Sequence, residues 1–221
     1  MAADEGRARI RVWDAPTRLV HWAIALLIPW SWWTASHDQL GRHRLSGYIL
    51  LGLLIFRLIW GVVGSAPSRF AAFVRGPGAV WRYLRGRGGR APVGHNPLGG
   101  WSIVAMLTLL AAQIVLGVFA IDEDGLESGP LSYLVSFDTA RAMALVHHKL
   151  FWAIVALVAL HIGAILFYLF RGRNLTAAMV TGSADMEPDT EAPAIAPLWR
   201  AVVAAIVAAA IAWFVASGLK L

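Results

Sequence analysis

Five mostly apolar runs dominate the chain, at 19–36, 45–64, 99–120, 143–170 and 198–218. Each is close to or above the ~20 residues an α-helix needs to cross ~30 Å of hydrocarbon. The run at 143–170 is long enough to tilt or to project beyond the bilayer. The last, AVVAAIVAAAIAWFVASG, is alanine-rich and has no ionisable side chain. The residues are 58% hydrophobic and 14% charged, against about half and a quarter in soluble domains. The expected fold is an all-α integral membrane protein.

Charge orients the spans. Residues 1–18 carry Arg7, Arg9, Arg11 and Arg18, and the connection 65–97 carries Arg69, Arg75, Arg82, Arg85, Arg87 and Arg90 with no acid. Residues 121–141 hold five acids and one Arg. Arg and Lys collect on the cytoplasmic side, so the N-terminus and 65–97 are expected inside. The acidic loop and the C-terminus then face the periplasm of a bacterial inner membrane. Arg42 and Arg44 on the outer face run against this pattern. The first apolar run reads as a retained span, since the preceding segment is too long and too acidic for a signal-peptide leader. The net charge of +6 is explained by topology, and no nucleic-acid partner is expected. Four regions follow: a cytoplasmic segment 1–18, a four-helix core 19–182, a flexible acidic linker 183–197, and a fifth helix within 198–221.

Ionisable groups inside spans are costly and by default functional. Cysteine is absent, which excludes disulfides, iron–sulfur clusters and thioether-bound haem. Seven histidines remain. In ALVHHKLFWAIVALVALHIG, residues 144–163, His147 and His161 are fourteen apart and differ by only ~40° around a helix axis, with ~21 Å of rise between them. His148 differs from His161 by ~140° and points nearly the opposite way. Depth then pairs His43, at the outer start of the second span, with His147. His21, at the cytoplasmic start of the first, pairs with His161. Two axial His–His pairs, one toward each face of a bundle, can hold two b-type haems without covalent attachment. Their second ring nitrogens need partners, which backbone carbonyls can supply.

Arg57 lies fourteen residues after His43 on nearly the same face. Its charge is met either by a propionate of the His21/His161 haem, with Arg18 as a second candidate at the rim, or by snorkelling to lipid headgroups. His37 reads as an ordinary turn residue. His95, in GHNPLGG, suits a helix-start turn, a proton relay or a propionate contact equally well. The histidines do not cluster as a zinc site would, no H-E-x-x-H occurs, and the absence of Asp and Glu from the spans argues against a proton pump.

The stretches VWDAPTRLVHW, RHRLSGY, FRLIWGVVGSAPSRFAAF, GHNPLGGW, the His147…His161 spacing and RGRNLTAAMVTG together resemble the bacterial cytochrome b561 family, which includes the cytochrome b subunits of nickel–iron hydrogenases. The likeness spans roughly 11–182. It implies a four-helix di-haem bundle with ligands at His21, His43, His147 and His161, the same four residues that helical arithmetic selects. The acidic linker and fifth span depart from the small members of that family.

The resemblance implies electron transfer between the quinone pool (ubiquinone or menaquinone) and a periplasmic partner. That partner would be a c-type cytochrome, a hydrogenase or another oxidoreductase. An alternative is a superoxide oxidase that passes electrons to ubiquinone, for which a positive outer surface would help. The acidic 121–141 loop suits a cationic protein better. Trp152, Tyr48 and Lys149, near the outer pair, are candidate quinone contacts.

Overall fold

The computed structural model describes residues 8–87, 93–122 and 124–220. Arg7, Arg90 and Glu123 of the charge pattern lie outside them. The main helices are α1 (Ala15–Ser36), α2 (Leu40–Val63), α5 (Pro97–Phe119), α6 (Phe137–Phe170) and α8 (Leu198–Ala216). Three short helices, α3 (Phe70–Phe73), α4 (Pro77–Leu84) and α7 (Leu175–Thr181), cover one end of the bundle. Strands β1 (Ala8–Arg11) and β2 (Ser183–Met186) pair antiparallel at that end, Ala8 opposite Met186 and Arg11 opposite Ser183. That end is called the sheet end below, and the opposite one the loop end.

Three of the main helices, α1, α5 and α6, start at side-chain caps, two to six residues before their apolar runs begin. Asp14 caps α1 by accepting from Thr17 N at 2.7 Å, with proline in the first turn. Asn96 and Ser136 do the same for α5 and α6. Each satisfies one of the four amides that a helix start leaves bare. α7 stops at Gly182, whose φ of +86° is open to glycine at little cost.

Four helices, α2, α5, α6 and α8, are long and apolar enough to cross a membrane. α1 has the length, at 22 residues, but its apolar content is diluted by Arg18, His21, Pro29 and the polar Thr17, Ser31 and Thr34, all three of them buried. Those polar groups face protein. The acidic segment read as a free linker is tied down at both ends. Its first residues form β2, and near its far end Ala66 N donates to Ala194 O and Ala196 N to Ser65 Oγ, both at 2.9 Å.

α2 is the hub. α1, α5 and α8 all pack on it, and α6 packs on α5. α8 lays Ala201, Ala204, Ala208 and Ala212 against α2. Small side chains at this spacing let two backbones approach closely within lipid. A second cluster joins Leu50 and Leu54 of α2 to Leu110 and Ile114 of α5 and to Ile24, Leu27 and Ile28 of α1. α6 has only Ala140 and Ile154 buried. It is not closely packed on α1, and Trp32 stacked on Phe151 (6.1 Å, 3° between planes) bridges the two.

The sheet end is locked by one carboxylate. Asp14, 3% exposed, also accepts from Trp60 Nε1 at 3.1 Å and Ser68 Oγ at 3.3 Å, and Ser68 Oγ lies 2.6 Å from Thr17 Oγ1. Asp14→Ala leaves the indole N–H and the capping amide without their partner. It is expected to cost about 2–4 kcal/mol, read as a lowered Tm of the detergent-solubilised protein, with Asp14→Asn retaining part of the loss. A change under about 0.5 kcal/mol, the scale of an ordinary surface substitution, would refute this role.

Candidate functional site

His43 on α2 and His147 on α6 meet near the loop end, ring centroids 6.0 Å apart and planes perpendicular. His21 on α1 and His161 on α6 meet near the sheet end at 6.5 Å and 55°. The structure thus brings together the two couples that depth and periodicity select, fourteen residues apart along α6. His148 is exposed, and His37 stacks on Trp33 at the surface.

Main-chain carbonyls fix the orientation of the loop-end rings. His43 Nδ1 lies 2.9 Å from Ser31 O and 3.1 Å from Ser31 Oγ. His147 Nδ1 lies 2.8 Å from Gln113 O. A carbonyl only accepts, so both Nδ1 atoms carry the proton and each Nε2 keeps its lone pair. This is how a metal-binding imidazole is oriented and made more basic. Space is reserved for these rings. A Cβ on Gly117 of α5 would sit 2.9 Å from His147 Cε1, a clash. Gly47, one turn after His43 on nearly the same face, opens onto nothing within 4 Å.

The sheet-end pair has a different environment. His21 Nδ1 is buried with no hydrogen-bond partner among the described residues, as are Arg57 Nη1 and Arg18 Nε. Arg18 is held in place by its Nη1 donating to Val180 O, with Gly182 closely against its guanidinium. Arg57 lies 5.0 Å over the Phe70 ring and is 8% exposed. It points into protein, so snorkelling to lipid does not account for it. His95 sits at the same end, in the field of Arg57, His161 and His21.

Among the described residues no group of three or more His, Cys, Asp or Glu side chains is placed to hold a metal ion. The histidines come in twos, which suits a macrocycle that supplies the other four ligands itself. The ring separations of 6.0 and 6.5 Å leave each couple of imidazoles close enough to share one bound ion. The buried, unpartnered guanidinium nitrogens at the sheet end match the carboxylates that such a macrocycle carries. The residues present fit haem.

The quinone contacts expected from sequence do not converge. Trp152 is 59% exposed, Lys149 is exposed and Tyr48 is partly buried. No hydrogen bond or ring contact joins them among the described residues. Sequence reasoning also missed Gly117, Ser31 and the Gln113 carbonyl. Gly117 left only the generic signal of a glycine within a span, and a backbone acceptor leaves none.

Apolar helices carrying paired, carbonyl-oriented imidazoles with free Nε2 atoms define a membrane cytochrome. The chain belongs to the prokaryotic cytochrome b561 family, which matches residues 12–182. It is 22% identical over 213 residues, covering 80% of this chain and 86% of the other, to a Bradyrhizobium diazoefficiens protein named "Probable Ni/Fe-hydrogenase B-type cytochrome subunit". No solved structure matches it. It is therefore a multi-pass membrane b-type cytochrome of electron transfer, and membership implies b-type haem.

Gly117→Val places branched carbon where the His147 ring now lies. The α-band of the reduced purified protein is expected to weaken, with the helical circular dichroism unchanged. A full α-band would show that Gly117 is not needed to seat that ring.

Proposed function

We propose that this chain carries electrons through two b haems, one held by His43 and His147 and one by His21 and His161, between the quinone pool and a periplasmic redox protein. The carrying observation is the pair of His–His couples stacked along α6, each spaced for a metal between its rings. When bound, haem iron supplies one-electron chemistry by alternating between ferric and ferrous states. The protein's part is to hold and orient four imidazoles, to keep the region between the couples apolar with Leu50, Leu54, Leu110 and Ile114, and to offer Arg57 and Arg18 to carboxylates at the sheet end.

In this reading α1 is a fifth span and the sheet end is cytoplasmic, in agreement with the Arg-rich, acid-free connection that builds α3 and α4. The loop end then faces the periplasm of a bacterial inner membrane. Its loop presents exposed Leu126, Tyr133 and Leu134 beside Asp124 and Asp138, an apolar patch with an acidic rim that suits a cationic protein. Arg44, a cation that a superoxide site would use, is ion-paired to Glu127 and also donates to Ser128 O. That pairing favours protein docking over attraction of a small anion. The hydrogenase role stated in the relative's name makes a hydrogenase-type subunit the other candidate partner.

A pyridine haemochrome assay is expected to give two b haems per chain. His147→Ala is expected to lose one and His148→Ala neither. A count of one or none in the unaltered protein overturns the two-haem reading. Rapid mixing with a basic cytochrome c is expected to show electron exchange that slows at least tenfold as ionic strength rises from low to physiological. Salt-independent exchange, or faster reaction with superoxide than with any cationic cytochrome, would select the alternative.

A further inference from the structure

GHNPLGG has no part in holding the four paired imidazoles, yet the structure invests heavily in fixing it. Asn96 Oδ1 caps α5 by accepting from Gly99 N at 2.7 Å. Its amide group donates to Tyr83 OH at 2.9 Å and to Tyr168 OH at 2.7 Å, and the two phenol oxygens are 2.7 Å apart. One side chain thereby binds α4, α5 and the end of α6 together. Burial and the bond to Tyr168 push the Tyr83 hydroxyl up to about 12, so it stays protonated and the knot holds across physiological pH. Gly100 lets Phe73 approach, since a Cβ there would lie 2.7 Å from Phe73 O. The residue so positioned is His95. Its ring is clamped between Trp13 (4.7 Å) and Phe73 (4.9 Å).

His95 Nδ1 is buried and has no hydrogen-bond partner among the described residues. A ring held this firmly with an idle polar atom is costly unless something else meets it. Burial, with Arg57, His161 and His21 nearby, holds its pKa down to about 3, so the imidazole is neutral. Arg57 Nη1 is idle too. Asp14, the carboxylate whose charge Arg57 senses, already accepts from Thr17, Trp60 and Ser68. Arg57 Nη1 can only donate, and His95 Nδ1 donates in the tautomer that carries its proton there, so an anion between them would meet two groups that have no partner among the described residues.

A proton relay would require water. The cavity beside His95, about 130 Å³, is lined by Ala66, Pro67, Ala72, Phe73, Val93 and Pro193, and His95 is its single polar side chain. An ordered water needs two to four polar partners, so no water wire reaches the ring from that side. Its charged and titratable neighbours at this end are Arg57, His161 and His21.

We propose that His95 is a hydrogen-bond donor to a carboxylate of the cofactor at the sheet-end pair, completing with Arg57 a two-point anion site. The proposal rests on the reading that His21 and His161 hold a haem, whose two propionates are the carboxylates concerned. His95 acts through the cofactor's charge and is a positioning residue. With the bond lost, the carboxylate's negative charge is less compensated and ferric iron is favoured.

The test is potentiometric titration of the full-length protein in detergent, comparing His95→Phe and His95→Gln with the unaltered chain. His95→Phe is expected to keep both haems and to shift the sheet-end haem about tenfold toward the oxidised form, 59 mV for one electron. His95→Gln, which still donates, is expected to recover most of that shift. An unchanged potential in both variants, with both haems bound, overturns the proposal. Should His95→Phe not accumulate, His95→Leu takes its place with the same expected shift, and an unchanged potential with both haems bound overturns the proposal. Failure of the underlying two-haem reading is separate, because it appears as a missing haem in the haemochrome count before any titration.

Discussion

Within hydrocarbon a polar side chain must find its partner in the protein, and an imidazole has two nitrogens to satisfy. At the loop end, main-chain carbonyls settle one of them: Ser31 O for His43 and Gln113 O for His147. These bonds reach between helices, from α2 to α1 and from α6 to α5. Each helix that carries an imidazole is thereby keyed to the neighbour it packs on, and the free Nε2 atoms are what the packing leaves over. The weak contact between α1 and α6 has the same logic. A bundle closed by its own side chains would have no room between the rings.

The two ends are built differently, and the difference is chemical. The loop-end imidazoles are hydrogen-bonded donors and so the more electron-rich pair. At the sheet end His21 Nδ1 lacks such a bond among the described residues, and the buried Arg57 and half-buried Arg18 lie at the same end. Basic ligands favour the oxidised state of a metal, and adjacent positive charge favours the reduced state. In the proposed two-haem reading both effects run the same way, toward easier reduction at the sheet end.

Much of this was legible from residue order. Helical period separates His147 from His148 without any coordinates, because a 100° turn per residue is a hard constraint. Depth matching found both partners for the same reason. What escaped the sequence was carried by atoms common to every residue or by contacts between distant segments. The Ser31 and Gln113 carbonyls have no sequence signature. Asp14 has no role in the reading from residue order, and its bonds to Trp60 and Ser68 span dozens of residues. Composition marks the acidic 183–197 segment as flexible because it reports average solvation and cannot register that Ser183–Met186 finds a strand partner. α1 has the opposite problem: its hydropathy falls short because part of its surface is turned to protein.

That strand partner, Ala8–Arg11, lies near the other extremity of the core. A chain made from its N-terminus leaves β1 without its match until residue 186 has been synthesised, after α1, α2, α5 and α6 are all in place. The sheet is thus the last stitch in the four-helix unit, and α8 is added outside the finished seam. Anything that must enter between α1 and α6 from that end meets an unfastened bundle for most of biosynthesis and a fastened one afterwards. The small sheet, at the end where His21 and His161 meet, is thus the contact of the four-helix unit that completes last along the chain.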